Sequence, residues 1–472
     1  MPHPRRWSIL AFILVAECMD LLDATIVNVA VPSIRGDFHA SESQVQWIVG
    51  AYPLAVAVGL ILGARLGDLY GRRRLFALGA FGFTAASLAC ALAPSAGLLI
   101  AGRLVQGGFA ALMIPQGLGI LRSIFPPDEL PKAYGIFGPV IGSAAIVGPI
   151  VGGALVDANL FGTGWRLVFL VNLPLGAAAV VGALRLMPEG RAAHARRLDI
   201  GGTVLVSAAM ALLVYPLIEG REAGWPAWTY GSIAAGLALL VVFAFNQVWR
   251  LRTGRDPLVE PSLFAHRGYT AGIAVMQIFF AAISGFMLTL MLFLQLGQSY
   301  SPLRAGLTLA PWALGTAIGA GFGGAVLVPR FGRTVLQLGA AVSVAGTLLL
   351  LLVARGSGEL TTWTLLPGIL VSGLGLGLVV APLFDIVLAA VSERELGSAS
   401  GVINASQQLA SSLGIAVIGT VFFGALAGGR FHHALTDTLW LEAALFAASL
   451  VLTPLLPRQG VAAEALLLAA AD

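Results

Sequence analysis

Long stretches of this chain contain almost no charged residues, and many of them are about twenty residues long. An α-helix of that length crosses the hydrocarbon core of a bilayer, which is about 30 Å thick. Charged residues make up only 11% of the chain, whereas soluble proteins carry roughly 25%. The sequence therefore predicts an all-α polytopic membrane protein.

Fourteen apolar segments can be placed along the sequence, at about 7–31, 45–66, 75–94, 98–122, 134–157, 165–187, 200–218, 229–250, 268–297, 303–328, 334–354, 362–391, 397–424 and 436–457. Two polar connections, 188–199 and 251–267, bracket the seventh and eighth segments. Gly71-Arg72 follows the second segment, and Gly332-Arg333 follows the tenth, at the matching position of the other half. Paired halves are the common plan of secondary transporters. We therefore predict a six-helix half at 1–187, a linker with two extra spans at 188–267, a second six-helix half at 268–457 and a cytoplasmic tail at 458–472.

The distribution of Lys and Arg gives the orientation. With the N-terminus placed in the cytoplasm, six of the 27 basic residues lie outside, Arg103 lies in a span, and the other 20 lie inside, as the positive-inside rule requires. The first apolar run lacks a convincing cleavage site, so we interpret it as a retained span. The net charge of +4 then reflects topology and gives no reason to expect nucleic-acid binding.

Several kinds of chemistry lack a signal in this sequence. Cys18 and Cys90 both lie in apolar runs, which supports neither a disulfide framework nor a metal site. The sequence contains no nucleotide-binding loop of the type G-x-x-x-x-G-K-S/T, and no nucleophile elbow. We therefore expect no cofactor and no enzymatic activity; a membrane sensor or enzyme remains the alternative from another class.

A short polar loop carries the first family resemblance. Residues 64–73 read ARLGDLYGRR and resemble the signature cytoplasmic loop of the major facilitator superfamily, with Ala64 and Leu69 as departures. The residues that match are Leu66, Asp68, Gly71, Arg72 and Arg73. Gly71 permits a tight turn, and Asp68 can accept hydrogen bonds from Arg72 or from a helix N-terminus. The resemblance implies that Asp68, Gly71, Arg72 and Arg73 form a conformational latch between the two halves.

Further stretches resemble one branch of that superfamily. The sequence GPIVGG at 148–153, with Gly148, Pro149, Gly152 and Gly153, resembles the motif of exporters and proton antiporters. The stretches at 22–32, 165–176 and 397–416 resemble the fourteen-span bacterial drug:H+ antiporters. The resemblance implies a major facilitator fold with two inserted helices in the cytoplasmic membrane of a bacterium, both termini cytoplasmic. It also implies proton-driven efflux of amphipathic small molecules by a monomer; an uptake symporter of the same fold is the alternative.

Charged groups inside predicted spans are functional candidates, because each is costly in hydrocarbon. Glu17, Asp20 and Asp23 fall within one sector of about 120° on the first helix. Arg103 in the fourth span needs a partner, and a first-span acid is the expected one. We predict proton coupling by Asp23, Asp20, Glu17 and Arg103, with Asp23 on the acid of the family's first-span motif; a structural, hydrogen-bonded Asp23 is the alternative. Asp385 is either a second cavity acid or an interfacial one.

Polar residues without charge complete the predicted site. Asn28 and Gln106 are expected to line a cavity, whereas Asn404, Gln407 and Gln408 either line it or hold helices together. The ionisable residues at predicted external loops are expected to be solvated: Glu219, Glu222, His432, His433 and Asp437.

Overall fold

The computed structural model describes residues 3–126, 128–190, 197–356, 360–392, 395–426 and 430–458, and within them every regular element is helical. The α-helices of these ranges are, in chain order, α1 (Arg6–Phe38), α2 (Glu42–Tyr70), α3 (Arg72–Ala91), α4 (Ala96–Ile124), α5 (Leu130–Ala158), α6 (Leu167–Leu170), α7 (Asn172–Leu186), α8 (Ile200–Glu219), α9 (Ala227–Arg252), α10 (Arg267–Leu292), α11 (Pro302–Thr308), α12 (Ala310–Phe322), α13 (Val328–Phe331), α14 (Thr334–Arg355), α15 (Thr362–Leu388), α16 (Leu396–Ala425) and α17 (Phe431–Leu452). Short 3₁₀ turns lie at Leu160–Gly162, Gly164–Arg166, Pro261–Ala265 and Thr453–Leu455, and π-helical turns at Phe293–Gly297 and Gly323–Leu327.

Twelve helical segments in the described ranges are long and apolar enough to cross a membrane. They are α2, α3, α4, the α6–α7 segment, α8, α9, α10, the α11–α12 segment, α14, α15, α16 and α17. The protein is therefore a multi-pass membrane protein, as predicted. The predicted number of fourteen spans is not confirmed, since twelve segments meet these requirements.

The two remaining long helices are α1, with 33 residues, and α5, with 29. Every stretch of 18 residues in α1 contains at least three charged residues, drawn from Arg6, Glu17, Asp20, Asp23, Arg35 and Asp37. In α5, Val147–Ala158 is the apolar run among the residues whose side chains the structure describes. Both helices are long enough to cross a bilayer at 1.5 Å per residue, but α1 is too charged for these criteria.

The helices group into two compact units. The first extends to Val259 and includes Ser301–Leu303, and the second comprises Glu260–Tyr300 and the chain from Arg304 onward. The helix pair α8–α9 belongs to the first unit. Residues 191–196 of the predicted linker and 459–472 of the predicted tail lie outside the described residues.

Glycines allow neighbouring helices of the first unit to pack so closely that their backbones are in contact. A Cβ atom on Gly63 would overlap the carbonyl group of Ala111, and a Cβ atom on Gly107 would overlap the carbonyl oxygen of Tyr52. Contacts through small residues are how helices pack closely in lipid. Because Gly107 lies one turn from Arg103, this close approach sets Arg103 of α4 beside α2.

In the second unit, glycines again form the contacts between neighbouring helices. A Cβ atom on Gly414 of α16 would overlap the backbone of Ala281 in α10, and one on Gly346 of α14 would overlap Ser372 in α15. Aromatic rings fill the wider gaps, as where Phe279 of α10 meets Phe446 of α17 with ring centroids 5.2 Å apart. Helix α10 therefore packs against both α16 and α17.

The α8–α9 pair is held at the N-terminal end of α2 by polar contacts. The Glu222 carboxylate accepts hydrogen bonds from the Ser43 backbone N–H at 2.7 Å and from its hydroxyl at 3.0 Å. The Trp47 indole donates to Glu219 at 2.9 Å, and Arg221 pairs with Glu42. Glu222 is exposed, as predicted, and Glu219 is half-buried, but both carboxylates also accept hydrogen bonds from α2.

The same pair is held at the C-terminal end of α2 through Arg65. This buried guanidinium donates to the carbonyl oxygens of Arg197 at 3.2 Å, of Leu258 at 3.0 Å and of Pro257. Next to it, the fully buried Asp199 accepts from Gln247 at 3.0 Å and from the Leu258 N–H at 3.2 Å. Contacts at both ends of α2 thus attach the pair to the first unit.

Candidate functional site

The carboxylate of Asp23 lies fully buried in the first unit, on α1. Its Oδ1 accepts hydrogen bonds from Gln106 at 2.8 Å and from Asn172 at 2.7 Å, and its Oδ2 pairs with Arg103. The donors come from α4 and α7. Three helices thus meet at one carboxylate, and we call Asp23, Arg103, Gln106 and Asn172 the polar cluster.

Arg103 is 1% exposed, and its guanidinium is surrounded by polar and aromatic groups. Besides Asp23 it donates to Gln106 Oε1 at 2.8 Å and to the Ile48 carbonyl oxygen at 3.3 Å. Its Cζ lies 4.4 Å from the centroid of the Tyr52 ring, within the range of a cation–π interaction. These contacts fix the guanidinium on the face of α4 that meets α1 and α2.

Asp20 and Glu17 continue the acidic stripe along α1 and are only half-buried. The Tyr52 hydroxyl donates a hydrogen bond to Asp20, so one tyrosine contacts both Asp20 and the Arg103 guanidinium. Glu17 lies near Gly117 of α4, where an added Cβ atom would come within 3.3 Å of its Oε1. The three acids therefore differ in environment: Asp23 is sealed and paired, whereas Asp20 and Glu17 retain exposure to solvent.

The polar cluster is built to hold a buried charge pair. Bringing an isolated carboxylate out of water costs several kcal/mol, and a well-placed cation with further hydrogen bonds offsets that cost. Asp23 receives one cation and two amide donors. The Asn172 Oδ1 is buried with no hydrogen-bond partner among the described residues. The cluster therefore stabilises the ionised Asp23 but leaves one polar atom unsatisfied.

The signature loop forms a compact ion pair at the junction of α2 and α3. Gly71 has φ +109°, which explains the need for glycine between the two helices. The Arg72 guanidinium donates to Asp68 Oδ1 at 2.8 Å and to the Gly119 carbonyl oxygen of α4 at 2.8 Å. Asp68 therefore accepts from Arg72, and the loop is tied to the end of α4.

The repeated Gly-Arg pair in the second unit shares two features with this loop. Gly332 has φ +51°, and Arg333 donates to the carbonyl oxygens of Pro454 and Leu456 at 2.6 Å each. In both units a glycine with positive φ is followed by an arginine that binds backbone carbonyl groups.

The glycine motif of α5 packs against α1 beside the acids. A Cβ atom on Gly148 would overlap the Thr25 hydroxyl, and one on Gly152 would come within 2.5 Å of the Ile26 side chain. Gly153 faces the Pro302–Leu303 segment of the same unit, and Pro149 is buried within the helix. The motif thus holds α5 against the helix that carries Glu17, Asp20 and Asp23.

The other predicted site residues do not join the polar cluster. Asn28 is buried and donates along its own helix to the Ala24 carbonyl oxygen at 3.2 Å. Asn404 likewise donates to the Ser400 carbonyl oxygen at 2.9 Å. Four of the predicted residues are half-buried in the second unit: Asp385, Asn404, Gln407 and Gln408. Arg73 is half-buried at the start of α3.

Sequence reasoning missed three residues of the site and its surroundings. Asn172 and Tyr52 contact the predicted charges directly, and Ser87 accepts from Asn172 at 3.0 Å. Each is a polar side chain in an apolar span, and Asn172 also lies in the stretch 165–176 that carries the family resemblance. No group of three or more metal-ligating side chains was found in the part of the chain that the structure describes.

A model of the Major Facilitator Superfamily matches residues 13–415. The chain belongs to the Major Facilitator Superfamily. It is therefore a transporter of small molecules and not an enzyme. The match runs from within α1 to within α16 and includes the polar cluster and the signature loop.

Curated relatives of this family member include antibiotic transport and resistance proteins. The chain is 51% identical over 426 residues to the "Probable actinorhodin transporter" of Streptomyces coelicolor, covering 90% of this chain and 74% of that protein. It is 35% identical over 435 residues to a puromycin resistance protein of Streptomyces alboniger, covering 92% and 85%. It is 36% identical over 425 residues to the tetracenomycin C resistance and export protein of Streptomyces glaucescens, covering 88% and 76%.

Solved structures of the superfamily share the fold at low sequence identity. A proton-dependent oligopeptide transporter superposes with a TM-score of 0.69 at 15% identity, covering 95% of this chain and 99% of that one. A D-xylose–proton symporter superposes with a TM-score of 0.68 at 15% identity, covering 96% and 98%. These similarities identify the major facilitator fold.

Proposed function

We propose that this transporter exports an amphipathic small molecule, an antibiotic or drug, in exchange for protons. The efflux direction is supported by the 51% identity to a protein named as an actinorhodin transporter and by relatives named for antibiotic resistance and export. Coupling to protons is supported by one observation above all: half-buried Asp20 lies beside the buried Asp23–Arg103 pair, with Tyr52 in contact with both.

The proposed coupling uses the three acids of α1 in different ways. Asp20 and Glu17 exchange protons with water, because both remain partly exposed. Asp23 and Arg103 form a fixed charge pair. The electrostatic energy of each of these charges changes when Asp20 gains or loses a proton. Asp385 in the second unit is a further candidate acid. The proton gradient then supplies the free energy for export, and no cofactor is required.

Transport assays in inside-out vesicles test this proposal. With an imposed pH gradient, addition of a fluorescent cationic dye should release protons from vesicles that carry the native protein. Asp20→Asn should bind the dye but exchange no protons, because asparagine is nearly isosteric and cannot titrate. Asp437→Asn is the matched control, since Asp437 is exposed on α17. Native proton exchange by Asp20→Asn would remove Asp20 from the mechanism.

Asp23→Asn alone is a less direct test, because it leaves the Arg103 charge buried without its partner. The double variant Asp23→Asn/Arg103→Gln removes both charges and keeps a polar amide side chain at each position. We expect neither variant to support gradient-driven transport. Native exchange by the double variant would show that the pair is structural and that coupling resides on the other candidate acids, Asp20, Glu17 and Asp385.

We also propose that α1 and α5 cross the membrane, which makes fourteen spans with both termini in the cytoplasm. Their lengths of 33 and 29 residues support this, as does the excess of basic residues on the predicted cytoplasmic side. Reporter fusions active only in the cytoplasm, placed at both termini and after α5, test the topology. An external C-terminus would refute it.

A further inference from the structure

Glu442 is a fully buried acid near the middle of α17, in the second unit. Its neighbours along the buried face of the helix are apolar or weakly polar. Leu439 and Phe446 lie on either side of it, and the Phe446 ring packs against Phe279 of α10. The side chain is therefore enclosed by protein, at the α10–α17 contact.

The Glu442 carboxyl has a single hydrogen-bond contact among the described residues. Its Oε1 lies 3.3 Å from the Thr289 hydroxyl of α10, and its Oε2 is buried with no partner. The Thr289 hydroxyl also lies 3.3 Å from the Phe286 carbonyl oxygen. A hydroxyl has one proton, so if it donates to Phe286, its lone pair is free to accept from a protonated Glu442.

No cation compensates Glu442 within the described residues. The titratable groups of the elements packed against α17 all lie near helix ends: Arg267 and Tyr269 on α10, and Arg355 on α14. Helix α16 and the turns Phe293–Gly297 and Thr453–Leu455 carry none. On α17 itself, His432, His433 and Asp437 lie in its exposed first two turns. An ionised Glu442 would therefore be a buried charge with no partner, which is far more costly than a neutral acid.

We infer that Glu442 and Thr289 form a proton-binding site in the second unit. The Glu442 carboxyl carries a proton at neutral pH and donates a hydrogen bond to the Thr289 hydroxyl. The ligand of the site is one proton. The site shares no residue with the polar cluster of the first unit. The inference does not depend on the proposed export function, because it concerns the protonation of the resting protein.

Infrared spectroscopy of the whole protein in lipid vesicles tests the inference directly. The C=O stretch of a protonated carboxyl is separate from the bands of a carboxylate. The spectrum of the native protein minus that of Glu442→Gln at neutral pH should contain one protonated-carboxyl band and no carboxylate bands. The same band should persist in Asp20→Asn and Asp23→Asn, because those acids lie in the first unit. Carboxylate bands in the difference spectrum would overturn the inference.

A second variant keeps Glu442 and changes only its neighbour. Thr289→Val is close in shape and removes the hydroxyl, so the carboxyl band should shift to higher frequency as its hydrogen bond is lost. An unshifted band would show that Glu442 does not bond to Thr289. This measurement remains decisive if Glu442→Gln fails to fold, since Thr289→Val leaves the acid in place.

Discussion

The carboxylate of Asp23 and the guanidinium of Arg103 form an ion pair between α1 and α4 in which the two side chains are 0% and 1% exposed. The two residues are far apart in sequence, and the pair is completed by Gln106 and Asn172. Two groups that are each costly to bury are thus placed where each satisfies the other. This relationship makes the two residues energetically dependent on one another.

The first prediction concerns that dependence. Asp23→Asn and Arg103→Gln should each lower stability by about 3–5 kcal/mol, because each leaves an uncompensated buried charge. The double variant should cost clearly less than the sum of the two, since it removes both charges. Thermal unfolding of the four proteins in detergent gives the comparison. Additive losses would mean that the two charges do not interact.

The second prediction concerns the signature loop. Arg72→Gln and Asp68→Asn each break the contact that ties this loop together, while Arg72 also binds the Gly119 carbonyl oxygen. A half-exposed charged contact contributes about 1 kcal/mol, so we expect transport to fall by about fivefold with normal amounts of protein in the membrane.

The matched control for the loop is Arg74→Gln, which makes the same change in charge two residues away. Arg74 is 67% exposed and pairs with Glu189 at 3.4 Å, an arrangement that contributes little. The Arg74→Gln variant should therefore transport at the native rate. Equal losses in Arg72→Gln and Arg74→Gln would indicate an effect of net charge on the loop, with no special role for the Arg72–Asp68 contact.

The third prediction concerns the attachment of the α8–α9 pair. Arg65→Met keeps an apolar stem of similar length but removes every donor to the carbonyl groups of Arg197, Pro257 and Leu258. Amide hydrogen exchange should become faster in the segment from Asp256 to Val259. Arg252→Met, at the exposed end of α9, is the control. Unchanged exchange in Arg65→Met would show that Asp199 and Gln247 hold the segment without Arg65.

The fourth prediction concerns pH and the Glu395 carboxylate, which precedes α16. Hydrogen bonds from Ser262 at 2.6 Å and from Ser392 at 2.7 Å, with His266 3.3 Å away, lower the pKa of Glu395 to about 2. Because this pKa lies below the ordinary value of 4.5, the ionised form stabilises the fold above that pH. The stabilisation declines as the pH falls toward 2.

The pH dependence of the midpoint of thermal unfolding tests whether ionised Glu395 stabilises the fold. Glu395→Gln should melt below the native protein at pH of about 6, and the difference should shrink as the pH falls below about 4.5. Asp437→Asn, an exposed acid of the same unit, should show no such difference. A gap between native and Glu395→Gln that is constant with pH would contradict the assigned cause.

The sequence by itself determined the properties that depend on local pattern. Uncharged runs of span length identify a helical membrane protein, and the loop at 64–73 identifies the superfamily, because hydropathy and short motifs can be read without knowing which helices meet. The common face of Glu17, Asp20 and Asp23 follows from helical geometry alone. The need of Arg103 for an acidic partner follows from the cost of a buried charge.

Only the tertiary structure decided which groups meet. Whether Arg103 pairs with Glu17, Asp20 or Asp23 depends on the relative depth and rotation of α1 and α4. The close approach at Gly107 and the hydrogen bond from Asn172 of α7 control that arrangement. Glu219 and Glu222 look like solvated loop acids in the sequence, but α2 donates hydrogen bonds to both. Glu442 is a charged residue in a predicted span, but only the structure shows that it is fully buried against α10. In each case the deciding contact joins residues distant in sequence, so packing determines it and local pattern cannot.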